Sequence, residues 1–315
     1  MNAPGSMAAR VAAYLAERRQ AGYALRIEGY QLARFARFAD AAGHRGPPTL
    51  ELAIGWASAS HAQRPLTAAR RIEVLRGFAH YCRREEPATE IPSRFLFGRP
   101  HRRLAPHIYT DRELSQLIAA ATRLHPAGGL RGTSCATIFG LIAASGLRIS
   151  EATGLARTDV DLERGRLLVR QAKFGKSRWV PLHATTTLAL RDYAARRDRD
   201  RFASGHAAFF LFDYGRPART RAVQYAFTLL RRQLGWRARG GHAMPRIHDL
   251  RHTFICRRFE QWYREGLDVD RHVLALSTYV GHAKVTDTYW YATATPELLA
   301  LAARRVEHAR GGARP

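Results

Sequence analysis

Apolar residues recur every three to four positions through most of the first 90 residues, which is the spacing of one face of an α-helix. The pattern begins near Val11 and is broken by a glycine-proline turn at Gly46. It returns in two further segments, 50–57 and 66–84. Residues 1–90 are therefore predicted to form a helical domain.

The helical pattern stops at residues 91–106, which contain three prolines and several arginines without apolar periodicity. This composition is typical of an extended linker, and its positive charge suits it to follow a phosphate backbone. The sequence thus predicts a boundary here, followed by a second domain over residues 107–315.

The second domain is predicted to be mostly helical, with one small β-hairpin. Thr110 and Glu113 have the spacing of a capping box, which starts a helix. Two short segments, 166–170 and 178–182, predict the strands of the hairpin. Further helices are predicted at 133–144, 185–196, 222–234, 246–263, 269–279 and 296–305.

Charge points to the class of partner. The chain has 51 Lys+Arg against 26 Asp+Glu, a formal net charge of +25, which favours nucleic acid as the partner; charge alone also fits a nonspecific basic protein. No segment approaches the roughly 20 apolar residues of a membrane span, and the start lacks the pattern of a signal peptide. A cytoplasmic protein is expected.

Cys82, Cys135 and Cys256 are too widely spaced for a disulfide framework or a zinc site, so buried free thiols are expected.

Lysine is scarce in this arginine-rich chain and therefore informative. The three lysines are Lys173, Lys176 and Lys284, and the first two share the predicted hairpin turn. Lysine can give up its proton at accessible pH, which arginine does not. This difference makes the hairpin lysines candidates for proton transfer.

His248 and Arg251 are three positions apart, so on a helix they share a face. A proton-transfer residue beside a planar cation is suited to hold a phosphodiester. A phenol from a nearby segment could then attack that phosphodiester, and Tyr291, nine residues after His282, is a candidate.

Four motifs in this order resemble those of the tyrosine recombinases, the phage integrase family. They are Ser145-Gly-Leu-Arg148-Ile-Ser-Glu151, Lys173 in Lys-Phe-Gly-Lys-Ser-Arg-Trp-Val-Pro-Leu, His248-Asp-Leu-Arg251-His252, and Gly281-His282 followed by Tyr291. The resemblance covers residues 110–301, and residues 1–90 resemble the family's SAM-like core-binding domain. It implies a mainly α fold with a small β-hairpin, in which the two domains form a C-shaped clamp around DNA.

The resemblance also implies how a phosphodiester would be held. Arg148 and Arg251 would clamp its non-bridging oxygens, and His282 would donate a hydrogen bond to the phosphate. Glu151, one helical turn from Arg148, would orient a cation of the site. His252 is expected to be structural.

Tyr291 is implied as the nucleophile that forms a 3′-phosphotyrosine, with His248 as its base. Lys173 would give a proton to the departing 5′-oxygen. Lys176 is the rival for the acid role and Tyr289 for the nucleophile, and the family register favours Lys173 and Tyr291.

The activity implied is site-specific DNA recombination through a Holliday junction, without a metal, ATP or another cofactor. The partners implied are double-stranded DNA with a specific recombination site and a homotetramer on paired sites. The last helix, with the stripe Leu298, Leu299 and Leu301, would dock either on a neighbouring protomer or on its own core. The alternatives are a type IB-like topoisomerase and a non-catalytic DNA-binding accessory protein. The helical first domain and the basic linker disfavour the former, and the unbroken motif set disfavours the latter.

Overall fold

The chain divides into two compact units, Met1–Arg103 and Leu104–Pro315, and the division falls inside the segment predicted as a linker. The computed structural model describes residues 5–59, 65–101, 103–170, 177–293 and 295–311. Within these ranges, no helix is both long and apolar enough to cross a membrane.

The first unit is helical, as its apolar periodicity predicts. Its described helices are α1 (Met7–Gln20), α2 (Arg26–Ala41), α3 (Leu50–Ser58) and α4 (Pro65–Cys82). Phe35 lies at its centre and meets Trp56 and Phe78 edge-on, at ring-centroid distances of 5.5 and 6.4 Å. Arg70 donates to the carbonyl of Pro100 at 3.2 Å, so the chain after α4 also packs on this unit.

The second unit is mostly helical and, among its described residues, has a small antiparallel sheet. The strands are β1 (Val160–Asp161), β2 (Arg166–Val169) and β3 (Arg178–Pro181), in the order β1-β2-β3. The described helices are α5 (Asp111–Thr122), α6 (Leu130–Ser145), α7 (Ile149–Thr153), α8 (Ala184–Asp198), α9 (Thr220–Gln233), α10 (His248–Arg264), α11 (Val269–Val280), α12 (Thr286–Tyr289) and α13 (Pro296–Gly311).

The predicted hairpin is confirmed by the pairing of β2 with β3, in which Leu167 lies opposite Val180. Strand β1, which pairs with the other edge of β2, was not predicted. A strand of two residues is too short to show an alternating pattern in sequence. The turn that carries Lys173 and Lys176 lies outside the described residues.

Two apolar clusters in the second unit fix the position of the motifs. The larger cluster includes Phe139 from α6 and Tyr193 from α8. The smaller cluster joins Ile255 of α10 to Tyr291 and Leu298. Burial of Leu298 at 0% exposure places α13 against its own chain. The packing of Tyr291 and Leu298 in this cluster holds Tyr291 in a fixed position.

Candidate active site

The corner between α6 and α7 presents the first motif. Gly146 ends α6 in the left-handed region, with φ of +65°, and a Cβ there would lie 2.5 Å from the Phe254 ring. Only glycine fits this turn without strain. Arg148 then precedes α7, and its backbone N–H donates to the Glu151 carboxylate at 2.9 Å. This local hydrogen bond sets the direction in which the Arg148 side chain leaves the helix.

Arg251 is almost completely buried, at 1% exposure, on the first turn of α10. Its Nη1 donates to the carbonyl of Gly146 at 2.6 Å, and its Nη2 donates to the carbonyl of Val280 at 2.9 Å. Burial, followed by the charge of Arg148, lowers the pKa of Arg251 to about 10. The guanidinium therefore remains charged at neutral pH and is fixed by carbonyls from two other motif segments.

Arg148 lies beside Arg251 and is more accessible, with 27% of its side chain exposed. Its Nη1 is 2.8 Å from Glu151 Oε1, and its Nη2 donates to the carbonyl of Gly281 at 2.9 Å. Two like charges held this close repel each other and attract an anion. The arrangement suits a phosphate group, whose oxygens accept from two guanidinium groups at once.

Arg178, on β3, is a residue that the sequence did not single out. Its side chain is 12% exposed and contacts both oxygens of Glu151, at 3.0 and 3.1 Å. Its Nε also donates to the carbonyl of Tyr279 at 2.8 Å. Burial alone would raise the pKa of Glu151, but hydrogen bonds from Arg178 and the Arg148 backbone outweigh it and hold that pKa below its ordinary value. Arg178 thus ties the hairpin to the first and last motifs.

The last motif brings His282 and Tyr291 together at the end of α11. Gly281 closes this helix in the left-handed region, with φ of +69°. The Nδ1 of His282 is 2.7 Å from the hydroxyl of Thr288, and the His282 ring stacks on Tyr291 with centroids 6.1 Å apart. Burial, then the charges of the two motif arginines, lower the pKa of His282 to about 3. His282 is therefore neutral and can donate one ring N–H.

Tyr291 is buried, at 4% exposure, in a short 3₁₀ segment. Its hydroxyl is 2.7 Å from Nδ1 of His252. The rival Tyr289 is 38% exposed and donates its hydroxyl to Asp270 at 2.7 Å, a hydrogen bond that raises the pKa of this phenol. The environment of Tyr291 thus contains the other motif residues, whereas Tyr289 contacts an exposed carboxylate on α11.

His248 and His252 lie one helical turn apart on α10, with their rings edge to face at 4.6 Å. The side chain of His248 reaches the surface, but the protein atoms packed around its imidazole displace water from it. This desolvation, followed by the charges of Arg251 and Arg246, lowers the pKa of His248 to about 4. The sequence interpretation made His252 structural, but the structure places it on the Tyr291 hydroxyl. Its spacing of four from His248 could have suggested a site role, since residues four apart share a helix face. The predicted acid, Lys173, and its rival lie outside the described residues.

Comparison with known proteins shows the family to which the chain belongs. The model of the phage integrase family matches residues 108–297. The putative integrase/recombinase y4rB of Sinorhizobium fredii is 37% identical over 93% of this chain and 95% of its own length. The tyrosine recombinase XerC of Chlamydia trachomatis is 30% identical over 71% of this chain and 66% of its own length. The Tn1549 transposon integrase, solved with transposon right end DNA, superimposes with a TM-score of 0.65 at 18% identity, covering 95% of this chain and 99% of that one. The chain belongs to the phage integrase family and is a tyrosine-type, site-specific DNA recombinase.

Proposed function

We propose that this recombinase cleaves one DNA strand by attack of the Tyr291 hydroxyl on the scissile phosphorus. The observation that carries the proposal is the convergence of Arg148, Arg251, His282 and Tyr291, from three separate segments, around the end of α11. The reaction would leave Tyr291 joined to the 3′-phosphate of one strand end and would release a 5′-hydroxyl on the other. Because the phosphodiester bond is exchanged and not hydrolysed, rejoining is the reverse reaction and needs no external energy source.

The phosphate would be bound by the two motif arginines and by His282. Attack adds negative charge to the non-bridging oxygens, and fixed cations around them stabilise the pentacoordinate state. The hydrogen bonds of Arg251 to two carbonyls support this role, because they orient the guanidinium before DNA arrives. Glu151 would keep Arg148 in place through their 2.8 Å contact.

Two proton transfers accompany the exchange. The Tyr291 phenol, with an ordinary pKa near 10, must lose a proton, and we assign the base to His248. Its lowered pKa keeps the imidazole neutral at working pH, which is the form that can accept a proton. The departing 5′-oxygen must gain a proton, which we assign to Lys173. On rejoining, both protons return along the same routes.

The assembly that performs strand exchange would be a homotetramer on paired recombination sites, with strands passing through a Holliday junction. The core-binding domain (1–90), the linker (91–106) and the catalytic domain (107–315) would each contact the duplex. In the chain by itself α13 buries Leu298 against its own unit, while Leu299 is 49% exposed. The exposed leucine supports a further docking of α13 on a neighbouring protomer.

A nicked suicide substrate tests the nucleophile. The duplex is first selected from a random-sequence library by its binding to the Tyr291→Phe variant, and then nicked next to the cleavage position so that rejoining is prevented. Wild type should accumulate a covalent complex attached to a DNA 3′ end, because the attacking oxygen is present. Tyr291→Phe should form none, and the matched Tyr289→Phe variant should form as much as wild type. A covalent complex with Tyr291→Phe would assign the attack to another residue.

A further inference from the structure

The hydroxyl of Tyr291 and the imidazole of His252 form a contact that the reaction scheme above does not use. The oxygen and Nδ1 are 2.7 Å apart, and the two ring centroids are separated by 5.4 Å. His252 follows Arg251 directly on the first turns of α10, so its backbone is fixed by the same buried helix that holds the phosphate clamp.

The direction of this hydrogen bond follows from the charge of the ring. Burial, followed by His248 and Arg246, lowers the pKa of His252 to about 2, so the imidazole is neutral over the working pH range. A neutral imidazole has one ring nitrogen without hydrogen, which is a stronger acceptor than a phenol oxygen. The phenol O–H is also the more acidic donor of the two. Tyr291 therefore donates and Nδ1 of His252 accepts.

We infer that His252 is a positioning residue for the nucleophile: by accepting the Tyr291 hydrogen it fixes the hydroxyl rotor and directs the oxygen lone pairs away from α10. The inference rests on the proposed role of Tyr291 as the attacking residue. The claim concerns where the phenol oxygen is held before DNA is cleaved; transfer of the proton to His248 requires that the O–H first turns away from His252.

The hydrogen bond holds the phenol in the cluster that would bind phosphate. The Tyr291 ring lies parallel to that of His282, with an interplanar angle of 9°. A negative charge on Tyr291 would also raise the pKa of Arg251, which places the phenol within electrostatic reach of the clamp. Loss of the acceptor is thus expected to slow cleavage, because the oxygen would no longer be confined near the phosphate.

A role for His252 in packing alone would lead to a different result. Its ring also contacts Trp290, with centroids 6.0 Å apart, so the side chain could serve only to fill space. Asparagine and leucine separate the two roles because they are similar in shape. Asparagine carries an oxygen close to the place of Nδ1, and leucine carries only a methyl group there.

The test measures single-turnover formation of the covalent complex by the full chain on the selected, nicked duplex. His252→Leu should be slower than wild type by about 10- to 100-fold, with unchanged DNA affinity, and His252→Asn should recover to within a few-fold of wild type. His272→Leu, which changes a histidine of α11, is the matched control and should react at the wild-type rate. The inference is overturned if His252→Leu keeps the wild-type rate, or if His252→Asn is as slow as His252→Leu.

A second measurement needs no DNA. In protein labelled with ¹³Cζ-tyrosine, the Tyr291 resonance is assigned by its absence from Tyr291→Phe. Its chemical shift should change in His252→Leu and stay the same in His272→Leu. If it changes in neither variant, the hydrogen bond is not formed. If wild type forms no covalent complex, the proposed function fails, whereas the resonance still decides whether the contact exists.

Discussion

The Glu151 carboxylate is the negative charge that joins two arginines of the site, and Glu151→Gln isolates its contribution. The side chains of Glu151 and Arg178 are only 7% and 12% exposed, so solvent screens this pair weakly. Removing one partner of a buried pair costs about 3–5 kcal/mol, because the remaining charge is left buried. Glutamine keeps the shape and one acceptor oxygen, so we expect the lower end, about 3 kcal/mol.

Thermal and urea unfolding of the full chain measure this cost. For a domain of roughly 150–250 residues, 1 kcal/mol shifts the melting temperature by about 2–4 °C, so Glu151→Gln should lower it by roughly 6–12 °C. The control is Asp111→Asn, whose carboxylate is 2.7 Å from Arg257 but 88% exposed. Its loss should cost less than about 1 kcal/mol, because water screens the exposed pair. Equal destabilisation by both variants would refute the reasoning that burial decides the strength of these pairs.

The difference between wild type and Glu151→Gln should also depend on pH. The pKa of Glu151 is lower in the folded protein than its ordinary value. Its contribution is therefore fully present above the unfolded pKa, about 4.3, and is lost as the pH falls through the folded value. The gap in unfolding free energy should be constant between pH 7 and pH 5 and narrow below about pH 4. If the difference in unfolding free energy already narrows between pH 7 and pH 5, a group other than Glu151 is responsible for it.

Two further predictions concern Gly281 and the neutral histidines. A Cβ at Gly281 would lie 2.7 Å from the Arg178 guanidinium, so Gly281→Ala should cost about 1–3 kcal/mol in urea unfolding and slow covalent-complex formation. Gly128→Ala, with φ of +75° and open space, has the same backbone strain without the crowding, and should leave that rate unchanged. His252 and His282 have lowered pKa values, so the unfolded chain binds more protons below about pH 6.5 and the unfolding free energy should fall with acid by up to about 1.4 kcal/mol per pH unit per group. Unfolding of His252→Asn at pH 7, 6 and 5 should show a shallower fall than wild type, and equal slopes would contradict the assignment.

Much of the fold could be predicted because its signals are local. The apolar spacing of the first 90 residues predicts the helices of the first unit, and the two short segments 166–170 and 178–182 predict β2 and β3. The capping box of Thr110 and Glu113 is present as predicted, with both reciprocal hydrogen bonds. These features depend on a few neighbouring residues, which the sequence displays directly.

Arg178 and His252 could not be assigned in the same way, because their roles depend on distant segments. Arg178 begins a strand, where an arginine is ordinarily solvent-facing, but its side chain is only 12% exposed and contacts Glu151 and the end of α11. His252 shares α10 with His248 and Arg251, and nothing in its spacing shows that Tyr291, 39 positions later, will meet it. Tertiary contacts decide both.

Three arginines from different segments meet the carbonyl end of α11, and this explains how their charge stays available. Arg178, Arg251 and Arg148 donate to the carbonyls of Tyr279, Val280 and Gly281, respectively. Carbonyls at a helix C-terminus carry partial negative charge, so they orient these cations without neutralising them. Glu151 is the full negative charge in this group of four, which leaves two positive charges from three guanidiniums and one carboxylate. A phosphodiester carries one negative charge and its pentacoordinate state about two, so the group matches the charge of the state that cleavage must pass through better than that of the bound substrate.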